Sequence, residues 1–325
     1  MRRLFILSVI IGSFVMMYYT SITAYRVFTS DLAAPAVSES PGDEYRIVLI
    51  SQELDSPFWT EVERGAFEAA ERLGASLEAW GTFGRNERDF LNNIEIAIAS
   101  KVDGIIVQGL DTDEFTNLTK LKATKSGIPI ITVANDVPVN DSLRRTYVGS
   151  DHYEAGSMIA RQLLSDMGFA GDVILMVSDR QEDFQRLRLN GILAVLNNYG
   201  EIKTRIVASG DARENVVQVT NQIMNEHPGA KAFIAVTASH ASAIIQEIGK
   251  RYRVEDYYIY SFDDSPDTLA LLRQGDIDAL IAQSPADMGG ESVRLMIEWL
   301  EGKNLPLNMD GYFTDIRVLK ADERE

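Results

Sequence analysis

Residues 45–67 read YRIVLISQELDSPFWTEVERGAF, and the fold is decided by this stretch. Tyr45 to Ser51 is a short, almost continuously apolar run rich in β-branched residues, the pattern of a strand buried on both faces. Asp55-Ser56-Pro57 follows, and then Phe58, Val62, Ala66, Ala69, Ala70 and Leu73 recur at helical spacing. Ser56 suits an N-cap and Pro57 the first helical position. A strand running through a polar loop into a capped helix puts that loop at the carboxyl end of a parallel sheet, where open α/β sheets bind ligands. Phe58 and Trp59 stand where the loop becomes helix, and spacing alone leaves them either packed in the core or facing a ligand.

Outward from this unit the pattern repeats. Strands are expected at 46–51, 75–80, 104–109, 128–134, 146–149, 172–178, 202–208, 231–237, 257–262, 277–282 and 312–318. Helices are expected at 57–73, 86–100, 113–126, 152–168, 184–199, 213–226, 239–250, 265–274 and 285–301. Lys101-Val102-Asp103-Gly104 and Gly127-Ile128-Pro129 are helix-stop and strand-start punctuation. Such alternation implies parallel sheets with helices on both faces. The strands are too many for one ordinary open sheet, so two sheets of five or six are expected, one per lobe. Residues 45–150 and 172–283 run through similar series of strand–helix units, which supports the division. The expected class is thus α/β, with two doubly wound parallel-sheet lobes. A chain of 325 residues is long enough for two such cores.

Composition narrows the function. Lys and Arg number 31 against 48 Asp and Glu, a formal net charge of −17, and no basic cluster interrupts the acidic balance. Such a surface repels phosphate backbones, so nucleic acid is not an expected partner. The absence of cysteine excludes disulfides, thiolate metal sites, thiol nucleophiles and a lipid-modified cysteine.

The amino terminus indicates the compartment. Arg2-Arg3 precede an uncharged, apolar run, and Leu4 to Ala24 in a helix could cross the hydrocarbon layer. The arginines favour a cytoplasmic start and an exported remainder. A cleaved secretion signal shares these features. Its rival, an uncleaved anchor, fits the long apolar core and the poor cleavage site at Ile22-Thr23-Ala24. Either way the bulk of the chain is expected outside the cytoplasm, on the outer face of a bacterial cytoplasmic membrane if anchored. Thr29 to Asp43 is small, polar and proline-containing, and reads as a flexible stalk.

Catalytic motifs are missing. No Gly-x-Gly-x-x-Gly follows a strand, and neither a phosphate-binding Gly-Lys-Ser/Thr loop nor a Gly-x-Ser-x-Gly elbow is present. His152, His227 and His240 lack metal-ligand spacing; His152 reads as a helix start, and His240 as a cleft or surface residue. Asp111-Thr112-Asp113-Glu114 lacks the Gly and distal Glu of a calcium loop and reads as a helix cap. No enzyme, cofactor or metal is expected.

What remains is a set of strand-end loops carrying planar polar groups and aromatics: Gln52, Ser56 to Trp59, Gln108, Asn135-Asp136, Phe184 with Arg186, Asp211, Thr237, Asp263 and Gln283. A sugar ring has apolar C–H faces that stack on aromatics and a rim of hydroxyls that carboxylates, amides and guanidinium groups hold.

On these residues the sequence resembles the periplasmic sugar-binding proteins of the ribose/galactose class, most of all the ribose-binding proteins, over about residues 45–320. The resemblance is carried by Ser56-Pro57-Phe58-Trp59, where the family has Asn-Pro-Phe-Phe, and by Ile128-Pro129-Ile130-Ile131-Thr132. Val148-Gly149-Ser150-Asp151 with Gly156, Tyr260-Ser261-Phe262-Asp263 with Pro266-Asp267, and Ile281-Ala282-Gln283-Ser284-Pro285 complete it. It implies two lobes joined by three crossings, near 150/151, 283/284 and 313/314, that close like a hinge around a sugar. The organisation implied is a membrane anchor or signal over 1–28, a stalk over 29–44, an N-terminal lobe from 45–150 and 284–313, and a C-terminal lobe from 151–283 and 314–325.

The resemblance further implies that Phe58 and Trp59 stack on the ring, Arg186 and Asp263 hold hydroxyls, and Gln283 is a hinge-side amide. Ser56, Gln108, Asn135, Asp136, Asp211 and Thr237 complete the implied ligand set. Arg186 could instead be a solvated helix residue, Asp263 a helix cap, and Gln283 a partner of the hinge backbone. Asp151 reads as a structural cap. This chain departs from the family where Ala134 and Asn135, with Asp136 next, replace an Asp followed by Arg or Ser. Thr237 also replaces an amide, Gln108 and Ser56 each an Asn, and Asp211 an aromatic, so the identity of the sugar stays open. The implied partner is an ABC-type permease; a membrane histidine kinase, with this chain as its ligand sensor, is the alternative. A transcription repressor on this core would need a DNA-binding headpiece where the apolar span stands.

Overall fold

Residues 47–51 are all buried, as a strand covered on both faces requires. In the computed structural model, which describes residues 16–19, 45–84, 86–179, 182–210, 212–251, 254 and 257–321, they belong to β1 (Arg46–Ser51). Alternate residues serve different cores. Ile47 and Leu49 pack beneath one helical layer, and Val48 and Ile50 beneath the other.

The first sheet also holds β2 (Ser76–Gly81), β3 (Gly104–Gln108), β4 (Ile130–Val133) and β5 (Thr146–Gly149). Its helices are α1 (Pro57–Leu73), α2 (Glu87–Ala99), α3 (Asp113–Thr116), which continues as π-helical turns over Asn117–Ala123, and the short α4 (Val139–Ser142). The second sheet holds β6 (Gly171–Ser178), β7 (Ile202–Ser209), β8 (Ala230–Ala235), β9 (Tyr258–Phe262) and β10 (Ala279–Ala282). Around it run α5 (His152–Met167), α6 (Asp183–Leu196), α7 (Arg213–Glu226), α8 (Ala238–Gly249) and α9 (Pro266–Gln274). The long α10 (Pro285–Leu300) precedes β11 (Tyr312–Phe313) and β12 (Arg317–Lys320).

The two sheets have one topology. Their orders are β11-β5-β4-β3-β1-β2 and β12-β10-β9-β8-β6-β7, with β1 corresponding to β6, β4 to β9 and β5 to β10. Pairing is parallel throughout except between β12 and β10. The expected single strand over 312–318 is two short strands. Tyr312–Phe313 pairs with β5 in the first sheet and Arg317–Lys320 with β10 in the second, so the chain crosses between lobes inside the predicted element. The pattern of a single extended run cannot reveal that its two ends pair with different neighbours.

Each lobe lends the other a helix. The chain leaves the first sheet at β5, yet α5 packs with α6 over the second sheet. It leaves the second sheet at β10, yet α10 packs with α1 over the first. Both helix pairs meet backbone to backbone. A Cβ on Gly65 would stand 1.9 Å from the Ala286 carbonyl oxygen, and one on Gly289 1.9 Å from that of Val62. In the other pair a Cβ on Gly156 would stand 2.0 Å from the Arg188 oxygen, and one on Gly191 2.0 Å from that of Tyr153.

Caps set the starts of these helices. Pro57 opens α1 behind an extended Ser56, whose carbonyl accepts from Thr60 while its side chain makes no capping bond. Asp151 Oδ1 accepts from the Glu154 N–H at 2.9 Å and so caps α5 as expected. Thr112 Oγ1 accepts from Phe115 N–H at the head of α3, the capping role read from its acidic cluster.

Contacts divide the chain into Met1–Asp43 and Glu44–Glu325. Of the expected apolar span 4–24 only Met16–Tyr19 is described, as helix; the rest of it and the stalk lie outside the described residues. Among the described residues no helix is long and apolar enough to cross a membrane.

Gly289→Ala is expected to force α1 and α10 apart and destabilise the fold by roughly 2 kcal/mol or more. Gly200→Ala, where an added Cβ meets nothing, should stay within about 0.5 kcal/mol of the parent. Urea unfolding of both variants checks the contrast, and equal stabilities would refute the close-packing argument.

Candidate functional site

The carboxyl ends of β1, β3, β4, β6, β8, β9 and β10 face one cavity of about 440 Å³ between the lobes, within the usual range for small-molecule sites. Ser56, Phe58, Trp59, Gln108, Asn135, Thr237, Asp263 and Gln283 line it, eight of the positions expected from sequence. Trp59 is 5% exposed and serves both expected roles, packing into the core and lining the cavity. Phe58 meets it edge to face at 5.7 Å. Gln108 Oε1 accepts from the Gln52 N–H at 2.9 Å, which leaves the Gln108 amide N–H groups as donors toward the cavity.

Two expected residues are elsewhere. Arg186 is not in the lining; its guanidinium donates to Asp183 at 2.8 Å and lies 3.5 Å from Asp111. Arg188 lines the cavity in its stead, because helical phase puts residue 188 on the buried face of α6 with Gln185, Leu189 and Ile192. Asp136 also stays out. Its carboxylate is held by Arg144 Nη2 and by the Thr132 hydroxyl, each at 2.6 Å. Asp211 lies outside the described residues.

Arg188 is 2% exposed and sits between two rings, 5.0 Å from the Phe184 centroid and 4.2 Å from that of Phe262. Its Nη1 donates to the Val236 carbonyl at 3.1 Å, and its Nη2 lies 3.4 Å from Asp263 Oδ1. Burial pulls the Arg188 pKa down and the Asp263 carboxylate opposes that. The contact is long for a charge-assisted bond, and Nε has no protein partner, so the cation retains capacity for oxygen acceptors.

Asp263 is linked onward to the crossings. Gln283 Nε2 donates to its Oδ1, and Gln283 Oε1 accepts from Ser150 Oγ at 2.6 Å. Gln283 and Ser150 stand at two of the passages between sheets.

Asp263 and Ala134 hold corresponding positions after β9 and β4, and both are left-handed, at φ 64° and 63°. Their N–H groups donate to corresponding carbonyls, Ile281 and Val148. The conformation costs Ala134 about 1 kcal/mol. Its carbonyl is held in return by the Tyr147 hydroxyl and His152 Nε2, each at 3.1 Å.

Phe184, named from sequence beside Arg186, lines the cavity, as do His152, Glu53, Glu182, Arg188 and Ser239, which were not assigned to a ligand from sequence. His152 belongs to the first turn of a helix, as read, but its ring lies 5.6 Å from Phe184. His240 proves fully buried in α8 and is absent from the lining. Among the described residues no cluster of three potential ligands could hold a metal.

Comparison with known proteins now identifies the architecture. Residues 47–304 match the periplasmic binding protein domain. The chain belongs to that family. GanP, a glucose-galactose binding protein from Geobacillus stearothermophilus, is 30% identical, covers 87% of this chain and 99% of its own, and superposes with a TM-score of 0.80. The structure titled XylFII-LytSN complex matches at 25% identity and TM-score 0.75, over 87% of this chain and 100% of that one. The D-allose-binding periplasmic protein of Escherichia coli (strain K12) is 23% identical over 82% of this chain and 87% of its own. GanP and the D-allose-binding protein are binding proteins by name, in agreement with the missing catalytic motifs.

The family fold buries a titratable group beside its cavity here. Desolvation, then the Arg188 charge, lowers the His152 pKa from 6.5 to about 3, so the folded protein keeps the ring neutral. The unfolded chain takes up this proton as pH falls through about 6.5, and stability is lost progressively from there to about pH 3. His152→Gln is therefore expected to lose less stability than the parent between pH 7 and pH 4. Urea unfolding at the two pH values measures it, and equal losses would sink the assignment.

Proposed function

We propose that this chain is an extracytoplasmic sugar-binding protein whose lobes close on a monosaccharide-like ligand and present it to an ABC importer. The observation that carries the reading is Arg188, a buried guanidinium clamped between Phe184 and Phe262, in a cavity that also holds Phe58 and Trp59. Carboxylates of Glu53, Glu182 and Asp263 and the Asn135 amide supply acceptors, and Gln108 and Arg188 supply donors. Rings for C–H faces and a mixed polar rim match a sugar. The names of GanP and of the D-allose-binding protein point the same way.

In this reading Phe58 and Trp59 stack on the sugar from the first lobe, and Arg188 and Asp263 hold hydroxyls from the second. Ser56, Gln108, Asn135, Thr237 and Gln283 complete the contacts. A ligand bridging both lobes favours the closed form by its differential affinity, and the Asp263–Gln283–Ser150 chain carries its presence to the crossings. The uncharged run 4–24 keeps the protein at the membrane if it is not removed.

A second reading is a ligand sensor that partners a membrane histidine kinase. The likeness to XylFII, solved in complex with LytSN, favours it, as does the lack of a cysteine for lipid anchoring. A gene neighbourhood with an importer ATPase and permease supports the first reading; one with a sensor kinase and response regulator supports the second.

A thermal-shift panel of pentoses, hexoses and inositols tests the ligand class, since a ligand at a hundred times its Kd adds about 2.7 kcal/mol. No shift with any of them would overturn the sugar reading. With the sugar so found, Arg188→Ala and Asp263→Ala should each weaken binding by about 2 kcal/mol or more in calorimetry. Trp59 fluorescence should change on saturation; a silent Trp59 would remove it from the contact set.

A further inference from the structure

The first turn of α6 reaches across the cavity to the other lobe at two points. Asn135 Nδ2, in the loop after β4, donates to Glu182 Oε2 at 3.0 Å. Asp111 Oδ2, in the loop after β3, lies 3.5 Å from Arg186 Nη1. Glu182 is the extended N-cap residue of α6 and Arg186 follows one turn later, so the two side chains leave the same face of the helix. Asp183 receives a hydrogen bond from Arg186 Nη2 at 2.8 Å, which fixes the guanidinium with its other nitrogen toward Asp111. The inner contact belongs to the cavity lining. The outer one stands in solvent, with side chains 43% and 58% exposed.

Because β3 and β4 belong to the first sheet and α6 packs on the second, neither contact survives separation of the lobes. We propose that Glu182 and Arg186 form a two-point latch with Asn135 and Asp111, which holds the lobes shut by the protein's own groups in addition to any ligand. Arg186 and Asp111 are then positioning residues for closure. Their pair is exposed and screened by salt, so it sets the balance between open and closed forms over a modest range. The inner hydrogen bond aligns the rim of the cavity as the outer pair forms.

The chain contains no cysteine, so two labels can be introduced without background. Spin labels on Glu114→Cys in the first lobe and Glu214→Cys in the second, both exposed and outside the latch, report lobe separation in the full-length chain without added sugar. Asp111→Ala and Arg186→Ala should each shift the closed-to-open ratio about two- to fivefold toward open. The double variant should be no more open than either single, and 1 M NaCl should move the parent toward the variants while leaving them in place. Unchanged distance distributions in both single variants, or additive opening in the double, would overturn the latch. The measurement needs no sugar, so its failure leaves the ligand reading standing, and a failed sugar panel leaves the latch standing.

Discussion

Backbone contact between lent helices is the constraint on which the rest of this structure depends. The chain leaves each sheet after a strand, β5 or β10, whose following helix packs over the other lobe, and there the helix must come close enough to cover the core. Gly65 and Gly289 in one pair, and Gly156 and Gly191 in the other, permit an approach that any side chain would block. Van der Waals attraction falls steeply with separation, so the glycines fix helix position to a fraction of an ångström. The cavity inherits that precision. The oxygen that a Cβ on Gly156 would strike is the carbonyl of Arg188 itself, and α1 carries Phe58 and Trp59 in its first turn. Residues far apart in sequence therefore meet in the cleft because two helix crossings hold their register.

The second constraint is the buried charge on Arg188. A guanidinium removed from water costs several kcal/mol unless its surroundings answer it. Here the answers are one carbonyl, two aromatic faces and a carboxylate at 3.4 Å. Asp263 in turn is bound by Gln283, and Gln283 by Ser150, so the group that stabilises the cation also touches the passages between lobes. In the proposed function, a sugar hydroxyl on Asp263 would be felt through this chain where the lobes are joined. No remote pathway is needed, since three side chains in direct contact span the distance.

Much of this was legible in the sequence. Strand and helix order follows from β-branched runs alternating with amphipathic segments. Ser56-Pro57, Asp151 and Thr112 mark helix starts that the structure bears out, although Ser56 caps through position and not through its hydroxyl. Asp263 and Gln283 could be found because each ends an apolar strand. Arg188 lines the cavity and Arg186 does not, and the reason is phase. Positions 186 and 188 differ by about half a turn, and the apolar series Leu189, Ile192 and Leu196 already indicated the face that includes 188. Asp136 stays out of the lining for a different reason. Ala134 turns left-handed after β4, which sends the next residues off the strand axis, and the carboxylate of Asp136 is met by Arg144 from eight residues on. Spacing along a chain cannot show such a turn when the residue making it is alanine.

That alanine also bears on what the cavity can bind. By the symmetry of the two sheets it corresponds to Asp263, with the same backbone conformation and the same strand-end hydrogen bond. One half of the molecule keeps a carboxylate at this position, and the other has only a methyl group. The first lobe does not go without acceptors, because Glu53 lines the cavity from the loop after β1 and Asn135 follows Ala134 directly. Glu182 then reaches Asn135 from the second lobe and brings a carboxylate to the same side. One carboxylate on this side of the cavity, that of Glu182, thus comes from a helix start in the second lobe, while Glu53 and Asn135 belong to loops of the first. In the proposed function this arrangement ties recognition to closure, because part of the polar rim, Glu182 with Asn135, joins the two lobes.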